Sequence, residues 1–387
     1  PVQTVLSNSF GFGGNNGCLV LGTADRPASP AVSQQVVSEQ GVPELAVHGF
    51  SCLTGAGGTE ATMALLAQGL SVAGIPELEP FAKKLPASLV RRLKRLPRMT
   101  LLLAQAAWED SGRGDQPAAL FMGSGWGALS ETYDFLTRLT DSQEQFPSPT
   151  DFVGSVHNGP AAQAAIMFGA TGANITTSGG DYSFEQALLA ADLLLKEEDT
   201  TCLVMGADEG HQVLSPLLDP SIASGGPLTD GGGALCLSRK SAGARCLVRL
   251  PFLGSGTAEG CVESLIVSLG GAQAMAGKYG LLLVGIPAAV QDVGEAQLVR
   301  FLEGSGVKAP LIRYRELTGE FASASAVAAT LAASLLDAAS SDPEAPLLPI
   351  LGMPDLPEIP LGLIKKGQAI LMLGLGHCLS AVEFSRP

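Results

Sequence analysis

Ala173-Asn-Ile-Thr-Thr-Ser-Gly-Gly-Asp-Tyr-Ser-Phe-Glu-Gln-Ala-Leu-Leu-Ala-Ala-Asp-Leu-Leu-Leu-Lys196 is the stretch on which the fold turns. Ala173–Thr177 is rich in β-branched residues and predicts a short strand. Gly179-Gly180 breaks the chain. From Tyr182 to about Lys196 the apolar residues return at three- and four-residue spacing, which predicts an amphipathic helix. The apolar run Cys202–Met205 follows as another strand. Strand, glycine break, helix and strand in that order form one unit of a layered α/β fold.

The same alternation extends in both directions. Upstream lie a strand from about Glu44 to Phe50, a helix Thr100–Asp110, a strand Ala118–Met122, a helix through about Leu139 and a helix Gly159–Phe168. Strand Gly233–Leu237 ends this half. Downstream, strand Cys246–Leu250, helix Cys261–Met275, strand Leu281–Val284, helix Glu295–Glu303, strand Leu311–Tyr314 and helix Ala322–Ala338 repeat the theme. A Pro-rich loop and strands Ala369–Leu373 and Leu379–Phe384 close it. Two similar halves, 44–240 and 241–387, imply a duplication. Residues 23–43 are polar, carry Pro27, Pro30 and Pro43, and read as a linker. Residues 1–22 read as two strand pieces around a glycine turn.

Composition excludes several classes of function. The net charge is −14, and a protein that tracks phosphates would carry a basic stripe. The one basic run, Arg91, Arg92, Lys94, Arg95 and Arg98, is expected on the polar face of a helix; docking an acidic partner is the lesser reading. Seven cysteines are scattered through apolar segments without metal spacing, as in a reduced cytoplasmic protein. No apolar run reaches the roughly 20 residues of a membrane span. Gly11-Phe-Gly-Gly-Asn-Asn-Gly17 lacks both the Walker lysine and GxGxxG spacing, which argues against a nucleotide loop. No metal or organic cofactor is implied. Of the four histidines, His48 and His211 show no pattern, and His157 is expected to hydrogen-bond locally. Cys202, Cys236 and Cys378 are expected to pack within strands.

Six motifs in order resemble those of the β-ketoacyl synthases. They are Asn8-Ser-Phe-Gly-Phe-Gly-Gly14 with Asn16, Gly123-Ser-Gly-Trp-Gly127, Asn174–Ser183, Met205-Gly-Ala-Asp-Glu209, the segment Gly285–Glu295 with Asp292, and Thr318-Gly-Glu320. The resemblance runs from about Leu45 to Phe384 and implies a thiolase-like fold, two duplicated α-β-α halves in five layers. It also implies a dimer formed through the strand Ala173, Asn174, Ile175, Thr176 and Thr177.

Ketosynthases use a cysteine at a buried helix N-terminus and two histidines. Matched motif by motif, those positions here are Asp181, Val284 and Glu320, and Arg315 stands where the family has a lysine. No member of the triad is kept, so no catalytic residue of that kind is expected. A carboxylate forms no thioester, and valine carries no proton. Placed in one pocket, Asp181 and Glu320 would raise each other's pKa unless a cation such as Arg315 lay between them. Asp181 is equally suited to cap the helix that starts at Tyr182. His377 replaces a glycine of the closing motif; it is expected either as a satisfied buried histidine or in the pocket with Arg315.

The resemblance therefore points to a non-catalytic subunit of the chain-length-factor type. It would pair with an active ketosynthase in polyketide or fatty-acid-like biosynthesis, and meet acyl carrier protein only indirectly. Homodimerisation stays open. So do two other readings: a divergent acyl-transfer or decarboxylating enzyme using Asp181 and Glu320, and a structural module of a megasynthase. The closing motif occurs twice, at 8–21 and at 371–384, so residues 1–22 are expected to belong to another ketosynthase, or to be the remnant of a fusion.

Overall fold

The computed structural model describes residues 4–10, 16–22, 44–66, 68–83, 85–91, 93–341, 364–365 and 367–387. The glycine turn 11–14, the linker 23–43, Arg92 and the Pro-rich loop 342–363 lie outside them. The chain divides into two units, 1–41 and 42–387. In the first, strands β1 (Thr4–Phe10) and β2 (Asn16–Gly22) pair antiparallel, from Thr4↔Gly22 to Phe10↔Asn16.

The second unit is a mixed α/β domain around a ten-stranded sheet. Its strands are β3 (Leu45–Leu53), β4 (Ala119–Gly123), β5 (Asn174–Thr177), β6 (Cys202–Asp208), β7 (Gly231–Ser238), β8 (Cys246–Ser255), β9 (Tyr279–Gly285), β10 (Leu311–Arg313), β11 (Ala369–Gly374) and β12 (Cys378–Ser385). They lie in the order β10-β9-β11-β12-β8-β3-β7-β6-β4-β5. Read outward from the β3–β8 junction, β3-β7-β6-β4-β5 and β8-β12-β11-β9-β10 have the same connectivity. In each, the first two pairings are antiparallel and the last two parallel. The halves join where β3 pairs antiparallel with β8 at Leu45↔Val248.

The longer helices are α1 (Thr59–Leu66), α2 (Arg95–Asp110), α3 (Leu129–Asp141), α4 (Gly159–Phe168), α5 (Ser183–Leu194), α6 (Cys261–Ser268), α7 (Gln291–Ser305) and α8 (Ala324–Ser341). Because strand side chains alternate, each half-sheet feeds two cores. Phe121, Val204 and Leu235 from one half, and Leu283, Met372 and Phe384 from the other, share a core with Phe184 and Leu188 of α5 and Val327 and Leu331 of α8. Leu120, Met122 and Leu203 face the other way, onto α2 and α4. Leu282, Val284 and Leu371 face α6 and α7. Helix α8 is apolar nearly all round and buried along most of its length, as a central helix must be.

Two expected elements differ from those found. The single helix expected over Cys261–Met275 is two, α6 and the short helix Gly271–Met275, because Gly270 and Gly271 adopt φ values of 94° and 78°, outside the helical range. The strand expected to end at Tyr314 ends at Arg313, and Tyr314 opens the short helix Tyr314–Thr318.

Candidate functional site

The two central helices α5 and α8 occupy equivalent places, each between the third and fourth strands of its half. The loops leading into them meet at Arg315. Asp181 lies in the 3-10 turn Gly180–Tyr182 before α5, and Glu320 in the segment before α8. The Arg315 side chain is only 4% exposed. Its Nη2 donates to Asp181 Oδ1 at 2.7 Å, and its Nη1 to Glu320 Oε2 at 2.9 Å. The same nitrogens reach the carbonyls of Ala322 and Phe321, each at 3.3 Å. Burial opposes the guanidinium's charge, but the two carboxylates outweigh it and its pKa is raised. Burial pushes the Glu320 carboxyl up, and Arg315 opposes that shift. The cluster is thus a charge-assisted clamp between the two halves.

Asp181 does not cap α5. The N-cap position is Tyr182, which makes no side-chain cap bond, and the Asp181 carboxylate is turned to Arg315 instead. Tyr182 ties this turn to the tip of the closing hairpin: its hydroxyl donates to Cys378 O at 3.2 Å and accepts from Cys378 N. His377, beside it, is exposed rather than buried. Its carbonyl accepts from Gly256 N at 2.8 Å, and among the described residues no hydrogen bond or ion pair joins it to Arg315.

Val284 does not enter the pocket either. Its side chain is fully buried in the core formed with α6 and α7. The next residue, Gly285, faces the centre, and a Cβ there would lie 2.0 Å from the Tyr314 hydroxyl. Tyr314, a residue that the motifs do not mark, therefore fills the space beside β9.

Three buried carboxylates complete the site. Glu185, one helical turn beyond Asp181, is 1% exposed. It accepts from Ser325 Oγ of α8 at 3.0 Å and from Ser380 Oγ of β12 at 3.3 Å. Burial pushes its pKa up to about 7. Asp208, at the end of β6, accepts four bonds: from Ser124 Oγ and Trp126 N at 2.8 Å each, and from Ser323 N at 2.8 Å and Ser323 Oγ at 2.6 Å. It pins the loop 123–127 to the start of α8. Glu209 accepts from Ser130 N at 2.7 Å and Ser130 Oγ at 2.9 Å, and burial raises its pKa to about 7. The segment 205–209 thus carries two buried, hydrogen-bonded carboxylates.

The basic run does not form a helix face. Lys94 and Arg95 sit at the start of α2, with Arg91 before it. Arg95 grips the buried Asp230, its Nη2 donating at 3.0 Å. Lys94 pairs with Asp134, and Arg98 with Glu79 at 3.1 Å. The other histidines are locally engaged or exposed. His48 Nε2 lies 2.8 Å from Ser238 Oγ. His211 Nδ1 accepts from Val213 N and Leu214 N, each at 3.2 Å. His157 is exposed, against Gly127. A cavity of about 340 Å³ opens between the end of β3, α1 and α2, and none of its lining residues belongs to the Arg315 cluster.

Residues 72–220, from within the loop after α1 through the Asp181 turn to Asp208 and beyond, match the family model described as beta-ketoacyl synthase, N-terminal domain. The chain is β-ketoacyl synthase-like. A comparison with curated protein sequences finds no match. Among solved structures, the ketosynthase-like fold aligns with a complex described as a type II PKS acyl-carrier protein with its ketosynthase bound to the hexaketide, AntDE:AntF. The identity is 14%, the TM-score 0.69, and the match covers 89% of this chain and 100% of that one. A β-ketoacyl synthase from Burkholderia phymatum aligns at 16% identity and a TM-score of 0.66, over 89% of this chain and 100% of that one. The ishigamide ketosynthase/chain length factor aligns at 18% and 0.66, over 89% and 99%. At these identities the likeness is one of fold. No helix among the described residues is long and apolar enough to cross a membrane.

Proposed function

We propose that this chain is a non-catalytic β-ketoacyl synthase-like subunit or domain of the chain-length-factor type, which pairs with an active ketosynthase in polyketide or fatty-acid-like biosynthesis. The observation that carries the reading is the Arg315 clamp. The position matched to the family's nucleophile holds a carboxylate, that carboxylate is ion-paired to a buried guanidinium, and the same guanidinium holds Glu320. Neither group offers a thiolate or a neutral imidazole to a condensation. The repeated connectivity of the two half-sheets and the alternation of their cores support the duplicated, five-layer thiolase-like reading. Pairing is supported by β5, which among the described residues ends the sheet order with β4 as its one neighbour. An unpaired strand edge is a template for another chain. Ile166 on α4, the helix beside β5, is 69% exposed, as suits a surface that a partner covers. Acyl carrier protein would then be served through the active partner.

The test is co-purification with an active ketosynthase from the same source, with condensation assayed in the presence and absence of this chain. A stable heterodimer whose product length or rate depends on the chain is the expected result. A homodimer without effect on any ketosynthase refutes the reading.

Glu185 favours one alternative. A buried carboxyl with a pKa of about 7 is matched to general acid–base work near neutrality, as a divergent acyl-transfer or decarboxylating enzyme would require. Incubating the purified chain alone with malonyl thioesters separates the two, because turnover that Glu185→Gln abolishes would favour the enzyme.

A further inference from the structure

We infer that the cavity between the end of β3, α1 and α2 is a binding site for a small apolar amine. The inference goes beyond the proposed function, because none of the residues that line the cavity belongs to the Arg315 cluster. The hollow follows from the local sequence. After β3 the chain reverses in a tight turn, where Thr54 and Gly57 exchange backbone hydrogen bonds of 3.0 and 2.8 Å. Gly57 has a φ of 111° there, which residues with a side chain rarely adopt. A Cβ at Gly57 or Gly58 would lie 3.5 or 3.2 Å from the ring of Phe81. Bare glycines thus let the short helix Glu79–Ala82 lay that ring against the turn. Ala56, Ala61 and Ala106 also line the space, and methyl groups are too small to fill it. About 340 Å³ is left, at the lower end of the range for small-molecule sites.

The walls are apolar, and the polar groups within them already have partners. Leu53, Leu102 and Phe81 are the large side chains of the lining used here. Ser51 Oγ donates to Leu103 O at 2.7 Å, and Cys52 N donates to Thr59 Oγ1 at 3.0 Å. A hollow of this kind is stabilised by taking up an apolar body.

The remaining polar groups of the lining fix the head of the ligand. Gln105 Nε2 donates to Glu109 Oε1 at 2.8 Å. A carboxylate only accepts, so this bond leaves the Gln105 side-chain oxygen as the acceptor. Glu60, at the start of α1, is exposed. Among the described residues, no hydrogen bond or ion pair engages its carboxylate, and no Lys, Arg or His lines the cavity. The lining therefore presents acceptors and a negative charge, and no cation to balance it. An ammonium head satisfies both. A carboxylate head would meet Glu60 as a like charge. The fitting ligand is an apolar body about the size of a single ring, ending in a primary amine.

The test uses the whole 387-residue chain with methyl-labelled Ala and Leu, titrated in the NMR spectrometer with phenethylamine, phenethyl alcohol and phenylpropanoate. Phenethylamine is expected to shift the methyl signals of Leu53, Leu102, Ala56 and Ala106. The alcohol should shift the same signals at about fivefold lower affinity, the worth of one exposed ion pair, and the carboxylate should bind about tenfold or more weaker than the amine. Glu60→Gln should lower the amine's affinity about fivefold, to that of the alcohol, and leave the alcohol's unchanged. Ala106→Leu fills the hollow and should abolish binding of all three while methyl signals away from the cavity stay in place. No shift with any probe, equal affinity for amine and carboxylate, or undiminished binding to Ala106→Leu overturns the inference. If Ala106→Leu does not fold, Glu60→Gln decides by itself: an unchanged amine affinity overturns the inference, and the fivefold loss supports it.

Discussion

Replacing Glu185 with Gln should flatten the pH dependence of folding. The carboxyl is enclosed among α5, α8 and β12, where Ser325 and Ser380 are its hydrogen-bond donors. Burial raises its pKa from 4.5 to about 7. Between those values the folded protein keeps a proton that the unfolded chain has released. Its contribution to stability is therefore full below about pH 4.5, falls as pH rises, and is lost above about pH 7. The size of the shift corresponds to about 3 kcal/mol over that window. Glutamine has the same shape, and its amide can accept from one serine hydroxyl and donate to the other, so packing is retained while the titration disappears. Urea unfolding of both proteins at about pH 5, 6, 7 and 8 reads the effect. The parent should lose about 2–3 kcal/mol more than the variant across the series, since part of the loss is already complete at pH 5. Glu209, which also titrates near pH 7, is common to both proteins and cancels in the difference. Parallel pH profiles would refute the assignment of a buried, proton-holding Glu185.

The Arg315 clamp predicts an asymmetry. Asp181→Asn combined with Glu320→Gln strands a guanidinium that is 4% exposed and should cost about 3–5 kcal/mol. Arg315→Met leaves carboxylates that are 37% and 21% exposed, able to rehydrate, and should cost less, about 1–2 kcal/mol; the reverse order in chemical denaturation would contradict the clamp. Asp208→Asn sets an amide nitrogen against two of four donors, a backbone N–H and a serine hydroxyl whichever oxygen it replaces, and should lower stability by about 2–4 kcal/mol at constant urea m-value, whereas a neutral substitution would show that the loop 123–127 is held otherwise.

Much of the architecture is visible in the sequence because its signals are local. The apolar run at Cys202 and the alternating strands and helices of both halves are found in the order that their patterns predict. The short helices, such as Pro149–Ser155, carry too few apolar positions to show a period. The same locality governs the site. Asp181 and Glu320 lie in segments that the motifs mark, Arg315 lies five residues before Glu320 in the short helix Tyr314–Thr318, and the structure brings them together. Glu185 escapes notice because a glutamate in an amphipathic helix reads as part of the wet face. Its burial depends on partners 140 and 195 residues away.

Val284 exposes a different limit. Counting from Asp292 and Glu295 fixes a place along the chain, but a strand's side chains change face at every residue. An offset of one residue moves the matched position from the central pocket to the outer core. That is the difference between Gly285, whose missing Cβ makes room for Tyr314, and Val284, packed with the residues of α6 and α7. Packing, and not the matched side chain alone, therefore defines the site at this point of β9. The face of β9 that looks toward Arg315 carries no side chain at Gly285, and a tyrosine from the next element has taken the volume. A histidine placed at Val284 would lie in the apolar core rather than beside Asp181. Gly285 itself cannot accept one while Tyr314 stands where its Cβ would go. A histidine that faced Arg315 from β9 would therefore require the surrounding pocket to be rebuilt, which makes Tyr314 as much a part of this site as the Arg315 cluster.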